Sequence, residues 1–171
     1  STTNNGINLF SPPEIRKGNT KAFEFLTKEQ GISGNDICYS FEDSKGRFWF
    51  ATYQHGLNCI HPDGKKEIYD KYSGLLSNQT YCVSEDKNGR IWIGTDGGVS
   101  VWDGEKFERI TTENGLISNV VYAIYHDTKG NVWFGTPGGL TCMTVPGGIR
   151  NYTVKDGIGD NLVLIIYFFF S

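Results

Sequence analysis

One phrase occurs three times along this chain: GISGNDICYSFEDSKGRFWFATYQHGL at 31–57, GLLSNQTYCVSEDKNGRIWIGTDGGV at 74–99 and GLISNVVYAIYHDTKGNVWFGTPGGL at 115–140. Its leading glycines at 31, 74 and 115 are 43 and 41 residues apart, and the tryptophans at 49, 92 and 133 keep the same intervals. A fixed period of about 40 residues with several short strands per copy is the mark of a propeller blade. No other signal in the chain constrains the fold as strongly.

Each copy reads as four strands with a physical reason at every break. The segments Asp43 to Gly46, Asp86 to Gly89 and Asp127 to Gly130 supply turn residues that tolerate positive φ, so two alternating runs fold back as a hairpin. The first run spans Ile37 to Glu42, Thr80 to Glu85 or Val121 to His126; the second is aromatic and contains Trp49, Trp92 or Trp133. Glycine at 56, 98 or 139 opens a third strand. A fourth follows Asp63-Gly64, Asp103-Gly104 or Pro146-Gly147-Gly148 and holds Ile68 and Tyr69, Phe107 and Ile110, or Ile149 and Tyr152. No segment carries sustained helical periodicity with a cap and a stop, so the expected fold is all-β, a β-propeller of four-stranded blades.

The third copy presents Gly115-Leu116, Ser118-Asn119, Asp127, Gly130, Trp133, Gly135-Thr136 and Gly138-Gly139-Leu140; the second presents Gly74-Leu75, Ser77-Asn78, Asp86, Gly89, Trp92, Gly94-Thr95 and Gly97-Gly98-Val99. On these residues the chain resembles the two-component regulator propeller repeat family. The first copy departs from the pattern: Ile32 replaces Leu, Ala51 stands where the family has Gly, and the loop Tyr53-Gln54-His55-Gly56 is one residue longer.

Both ends read as parts of blades. Thr3 to Phe10 align with Thr95 to Trp102, so the chain starts after the tryptophan strand of an earlier blade. Gly157-Ile158, Asn161 and Val163 open a further copy, with an inner strand expected over Val163 to Phe168. The expected organisation is two outer strands of an incomplete blade in 1–30, blades at 31–73, 74–114 and 115–156, and an inner strand in 157–171. Such a chain forms a partial propeller, a ring closed between its own head and tail, or a two-chain ring of eight blades. A piece of a longer protein is expected, with self-association through the incomplete blades. The run Leu162 to Phe170 is nine consecutive apolar or aromatic residues, about half of a membrane span, and reads as a buried strand needing a partner.

With a formal net charge of −3, the chain offers no polycation for phosphate backbones, so nucleic acid is not an expected partner. No signal peptide or transmembrane stretch is present in these residues, and no membrane contact is expected of them. Cys38, Cys59, Cys82 and Cys142 contain no Cys-x-x-Cys pair and only three histidines accompany them, so neither a structural zinc nor another cofactor is expected. Cys59 and Cys142 occupy equivalent positions two blades apart; Cys38 and Cys82 are one place out of register on neighbouring inner strands and are expected to face opposite ways. Buried free thiols follow.

The repeated Asp43, Asp86 and Asp127 invite a reading as a carboxylate ring, but an Asp that opens a hairpin accepts local backbone N–H bonds, and that role, shared with Gly46, Gly89 and Gly130, is the expected one. Trp49, Trp92 and Trp133 are expected to wedge between blades. His61 and His126 show no partner in the sequence. Recognition is left to the rim, where the loops Ser33 to Asp36, Ser77 to Thr80 and Ser118 to Val120 gather with Tyr53 to His55, Asp96-Gly97 and Pro137-Gly138. Tyr53, Gln54 and His55 offer a ring with amide and imidazole groups, suited to sugars; Asn78, Asp96 and Asn119 complete the candidate ligand-binding set, and no residue is assigned a catalytic role.

The family resemblance implies a non-catalytic ligand-sensing module, similar to the periplasmic region of hybrid two-component histidine kinases that respond to glycan fragments; an oligosaccharide is the implied ligand and the periplasm the implied location. The alternatives are a lyase similar to the streptogramin lyase group, which would need a metal-assisted general base on the rim, where His55 is the sole histidine placed and no companion His or acidic cluster that would hold a cation beside it is evident, and a purely structural or protein-interaction propeller fragment.

Overall fold

The computed structural model describes residues 6–10, 23–145 and 147–166. Within them lie one two-stranded sheet, β1 (Ile7–Phe10) with β2 (Phe23–Leu26), and three four-stranded sheets. The first blade is β3 (Ile37–Glu42), β4 (Phe48–Thr52), β5 (Leu57–Ile60) and β6 (Lys66–Tyr69); the second is β7 (Thr80–Glu85), β8 (Ile91–Thr95), β9 (Val99–Trp102) and β10 (Phe107–Ile110). The third is β11 (Ala123–His126), β12 (Val132–Thr136), β13 (Gly139–Met143) and β14 (Ile149–Tyr152). Every sheet runs in chain order with antiparallel neighbours. This is the blade meander of a β-propeller, present as three whole blades and the outer pair of another.

The inner hairpins close on the Asp residues. Asp43 Oδ1 accepts from the backbone N–H of Lys45 (3.0 Å) and Arg47 (2.9 Å), while Oδ2 accepts from Arg47 Nε (2.6 Å) and from the indole of Trp49 (2.8 Å). Asp86 repeats the set with Asn88, Arg90 and Trp92, and Asp127 with Lys129, Asn131 and Trp133. The expected turn role therefore holds, and it extends to fixing the tryptophan rotamer.

Each junction between sheets has its own core. Ile7, Leu26, Ile32, Phe50 and Ile60 fill the first; Trp49, Leu57, Cys59, Leu75, Val83, Ile91 and Ile93 the second; Trp92, Val99, Val101, Leu116, Val121, Val132 and Phe134 the third. Trp49 and Trp92 thus sit between blades, as expected. Tyr69 of the first blade also meets Trp102 and Phe107 of the second, at 5.2 and 5.7 Å between ring centroids.

Three details differ from the sequence reading. Strand β11 begins at Ala123, two residues after Val121, because the Val121 N–H leaves its own sheet to donate to Thr95 O of the blade before it (2.9 Å). Val163 N–H makes the equivalent bond to Thr136 O (2.9 Å), but residues 163–166 form no strand and Leu162, Leu164 and Ile165 are exposed. Without a neighbouring strand to bond, an extended segment has no ladder; 167–171 lie outside the described residues, and no head-to-tail pairing occurs among the described ones. Finally, Cys38 is exposed, not buried, and its thiol faces the same way as that of Cys82. Cys38 Sγ lies 3.0 Å from Thr80 O and Cys82 Sγ 4.0 Å from Val121 O, the same relative carbonyl one blade on. Register shifts between Ile37 and Tyr39 and between Thr80 and Cys82 reorient the side chains that strict alternation would have opposed.

Candidate functional site

In a four-stranded meander the loops after the second and fourth strands fall at one end, and here both kinds are locked by repeated hydrogen bonds. Before each blade a short turn is capped: Thr27, Thr111 and Thr153 accept from the N–H of Glu29, Glu113 and Lys155, and Asp70 takes that place before the second blade. An asparagine seven residues on closes each turn. Asn35, Asn78, Asn119 and Asn161 Oδ1 accept from the N–H of Lys28, Lys71, Thr112 and Val154 at 2.8–2.9 Å. Asn78 and Asn119 therefore hold the rim in shape with their carbonyl oxygens.

The long loop of the first blade is anchored differently. Thr52 Oγ1 donates to Gly56 O (2.6 Å) and accepts from His55 N–H (3.0 Å), much as Thr95 and Thr136 do in the shorter loops. The extra residue carries the His55 ring over Gly34, with Nδ1 at 3.0 Å from Asp36 Oδ1. A Cβ at Gly34 would fall 2.5 Å from that nitrogen. Where the other copies have Ser77 and Ser118, this one has the residue that leaves room for the imidazole. Asp36 is thus the single carboxylate partner of His55, and no cation-holding cluster stands beside them among the described residues.

Tyr53, Gln54 and His55 are exposed on this rim. Beside them stand two tyrosines that sequence reasoning did not select. Tyr81 and Tyr122 pack edge to face at 5.1 Å, and Gln79 Nε2 donates to the Tyr81 hydroxyl (2.9 Å). Burial first, then the charge of Asp96 and the neighbouring Tyr122 and Tyr53, raise the Tyr81 phenol above its ordinary pKa. The cluster of Tyr53, Tyr81, Tyr122, Gln79 and Asp96 offers ring faces and edge hydrogen-bonding groups on one rim. The available signal was the aromatic residue at the same place in two copies, seven residues after Gly74 and Gly115.

At the opposite edge of the first blade, three groups converge that no spacing rule marked. Cys59 Sγ, His61 Nε2 and a Glu67 carboxylate oxygen lie within 4.8 Å of one another. Glu67 also accepts from Lys65 Nζ (2.7 Å), the Tyr69 hydroxyl (2.7 Å) and shares a proton contact with His61 (3.0 Å); these three, Lys65 foremost, pull its pKa down to about 2. Burial pushes the Cys59 thiol up to about 12. His126, the other histidine read as unpartnered, meets Ser84 Oγ at 3.0 Å and the Trp92 ring at 5.4 Å, and burial lowers its pKa.

Three segments of the chain, 31–54, 74–97 and 115–138, match the family described as two component regulator propeller. No curated protein sequence matches the chain. Among solved structures, the extracellular domain of BT3049, assigned to the hybrid two-component systems of B. thetaiotaomicron, is similar with a TM-score of 0.72 and 23% identity, over 79% of this chain and 19% of that one. The extracellular domain of BT4673 from the same organism, likewise assigned, gives 0.67 and 25% identity over 92% and 23%. Virginiamycin B lyase from Staphylococcus aureus gives 0.55 and 20% identity over 68% and 41%. The chain spans about a fifth of the length of the two-component relatives it matches.

Proposed function

We propose that this chain, three segments of which match the two component regulator propeller family, is part of a non-catalytic sensor propeller, exposed on the periplasmic or extracellular side, whose rim recognises oligosaccharides. The observation that carries the reading is the rim cluster of Tyr53, Tyr81, Tyr122, Gln79 and Asp96 held on hydrogen-bonded loops. Sugar faces stack on rings and sugar hydroxyls bond at their edges, and loops already fixed by Asn78, Asn119 and Thr52 lose little entropy on binding. The extracellular placement of the similar two-component domains supports the location.

Titration calorimetry of the chain against a panel of oligosaccharides tests this. Heat of binding that disappears in Tyr53→Ala and Tyr81→Phe supports the rim; saturable binding unaffected by both moves recognition elsewhere, and no heat with any glycan removes the carbohydrate claim.

One observation favours a second reading. The His55–Asp36 pair at 3.0 Å has the geometry of an oriented general base, and the lyases share the architecture. Lyase activity lost in His55→Ala and weakened in Asp36→Asn would establish it.

A further inference from the structure

We propose that Cys59, His61 and Glu67 form a binding site for a borderline-soft divalent ion of the zinc class, with three protein ligands and a fourth position open to water. The site is independent of the rim. Its logic is that of strand alternation: Cys59 lies on β5, His61 follows two residues later, and Glu67 is the direct cross-strand partner of Cys59 on β6. All three therefore project from one face of the hairpin that turns at Asp63 and Gly64. A thiolate, an imidazole and a carboxylate together select zinc over magnesium or calcium, which prefer oxygen alone.

One edge of the site is already at an ion's spacing, and the thiol sulfur lies within 4.8 Å of both other ligand atoms. His61 Nε2 and Glu67 Oε2 are 3.0 Å apart, near the ligand-to-ligand edge of a tetrahedron with metal bonds of about 2 Å. The thiol is buried and makes no hydrogen bond among the described residues, so it has no competing polar partner. The hairpin backbone is fixed by His61 N–H to Lys65 O (2.8 Å) and Gly64 N–H to His61 O (2.9 Å). Tyr69 Oη donates to Glu67 Oε2 (2.7 Å), the same oxygen that faces His61, and so fixes the orientation of the carboxylate. Two cations face the site. Arg47 is bound by Asp43 at 2.6 Å, whereas Lys65 holds Glu67 itself and must swing away, which its exposed side chain permits. On binding, the sulfur–metal bond replaces the S–H bond and the proton passes to solvent, so the ion enters with no redox change.

Equilibrium titration of the purified chain with Zn²⁺, and with Co²⁺ as a spectroscopic probe, decides the matter. The expected result is one ion per chain, a thiolate-to-cobalt charge-transfer band, and loss of that band in Cys59→Ser but not in Cys38→Ser or Cys142→Ser. His61→Ala and Glu67→Gln should each weaken Zn²⁺ binding by at least about tenfold, the lower end of what even outer-shell changes cost. Lys65→Ala, which frees Glu67 while leaving every ligand in place, should tighten it. Circular dichroism establishes that each variant is folded. A cobalt band that survives Cys59→Ser, affinity unchanged in His61→Ala, or no binding by the folded wild type would overturn the proposal.

Discussion

At the scale of single residues, the rim and the blade hairpins depend on groups with little freedom to change. Gly34 and His55 occupy one space, because a Cβ at 34 would meet the imidazole at 2.5 Å and the Asp36 carboxylate at 2.8 Å. Gly34→Ala is expected to destabilise the chain by about 1–3 kcal/mol through overpacking, and His55→Ala to relieve most of that loss. Urea denaturation of the two single variants and the double one measures the coupling; additive effects would separate the residues. Asp43 makes a different demand. Burial opposes its charge, yet donors on Trp49 and Arg47 outweigh it and hold its pKa below 3.8. A carboxylate depressed in the folded state stabilises above its unfolded pKa, so this contribution is complete above pH 3.8 and lost as the pH falls through the folded value. Asp43→Asn sets an amide against those donors. It should cost about 3 kcal/mol at neutral pH, since bonds to charged groups contribute about 1.5–3 kcal/mol each, and should flatten the acid limb of stability against pH. An unchanged acid limb would place the titration elsewhere.

Between residue and blade lies the strand element, and its weakest tolerance is at the glycine that opens the third strand. Gly98 has φ of 129°, and a Cβ there would fall 2.5 Å from Ile110 O, the carbonyl that ends the fourth strand of its blade. Gly104 also has positive φ, 109°, but nothing lies within 4 Å of a Cβ built on it. Comparing Gly98→Ala with Gly104→Ala therefore separates backbone strain from collision. Both should lose about 1–2 kcal/mol from the left-handed conformation, and only Gly98→Ala should lose several more as β9 and β10 part. Equal destabilisation, read from denaturant midpoints, would show that the close approach relaxes freely. The same elements show how far sequence goes. Strands β3 and β7 begin and end where alternation placed them, because the Asp-x-x-Gly turns and the tryptophan fix their register from within the repeat. The bulges after Ile37 and Thr80 were not legible, since a register shift belongs to the pairing of two strands and not to the alternation within either one. His55 with Asp36, and Cys59 with His61 and Glu67, were missed for a related reason: each set is assembled by cross-strand or loop-to-loop pairing, which a linear pattern does not encode.

Across the whole molecule, stability is a matter of junctions. Each blade is held to the next by one apolar core and by backbone bonds such as Val121 N–H to Thr95 O and Gly56 N–H to Asn78 O (2.8 Å). In such an array each unit's protection depends on its nearest neighbours. The second blade is covered on both faces: Val83, Ile91 and Ile93 belong to the core shared with the first blade, and Trp92, Val99 and Val101 to the core shared with the third. Among the described residues the third blade meets a core on one face, with Ile149 38% exposed and Val145 65%. Opening the second blade must therefore break two junctions, while opening β13 and β14 breaks one. The first blade is likewise flanked by two cores, so native-state hydrogen exchange should show slow amides on β4, β5, β8 and β9 and the fastest strand amides on β14. Val101→Ala removes apolar volume from the junction between the second and third blades, so it should speed exchange on both flanking sheets while leaving β4 and β5 nearly unchanged. If exchange accelerated equally in every strand, the chain would open as one cooperative unit, and the nearest-neighbour account of its stability would fail.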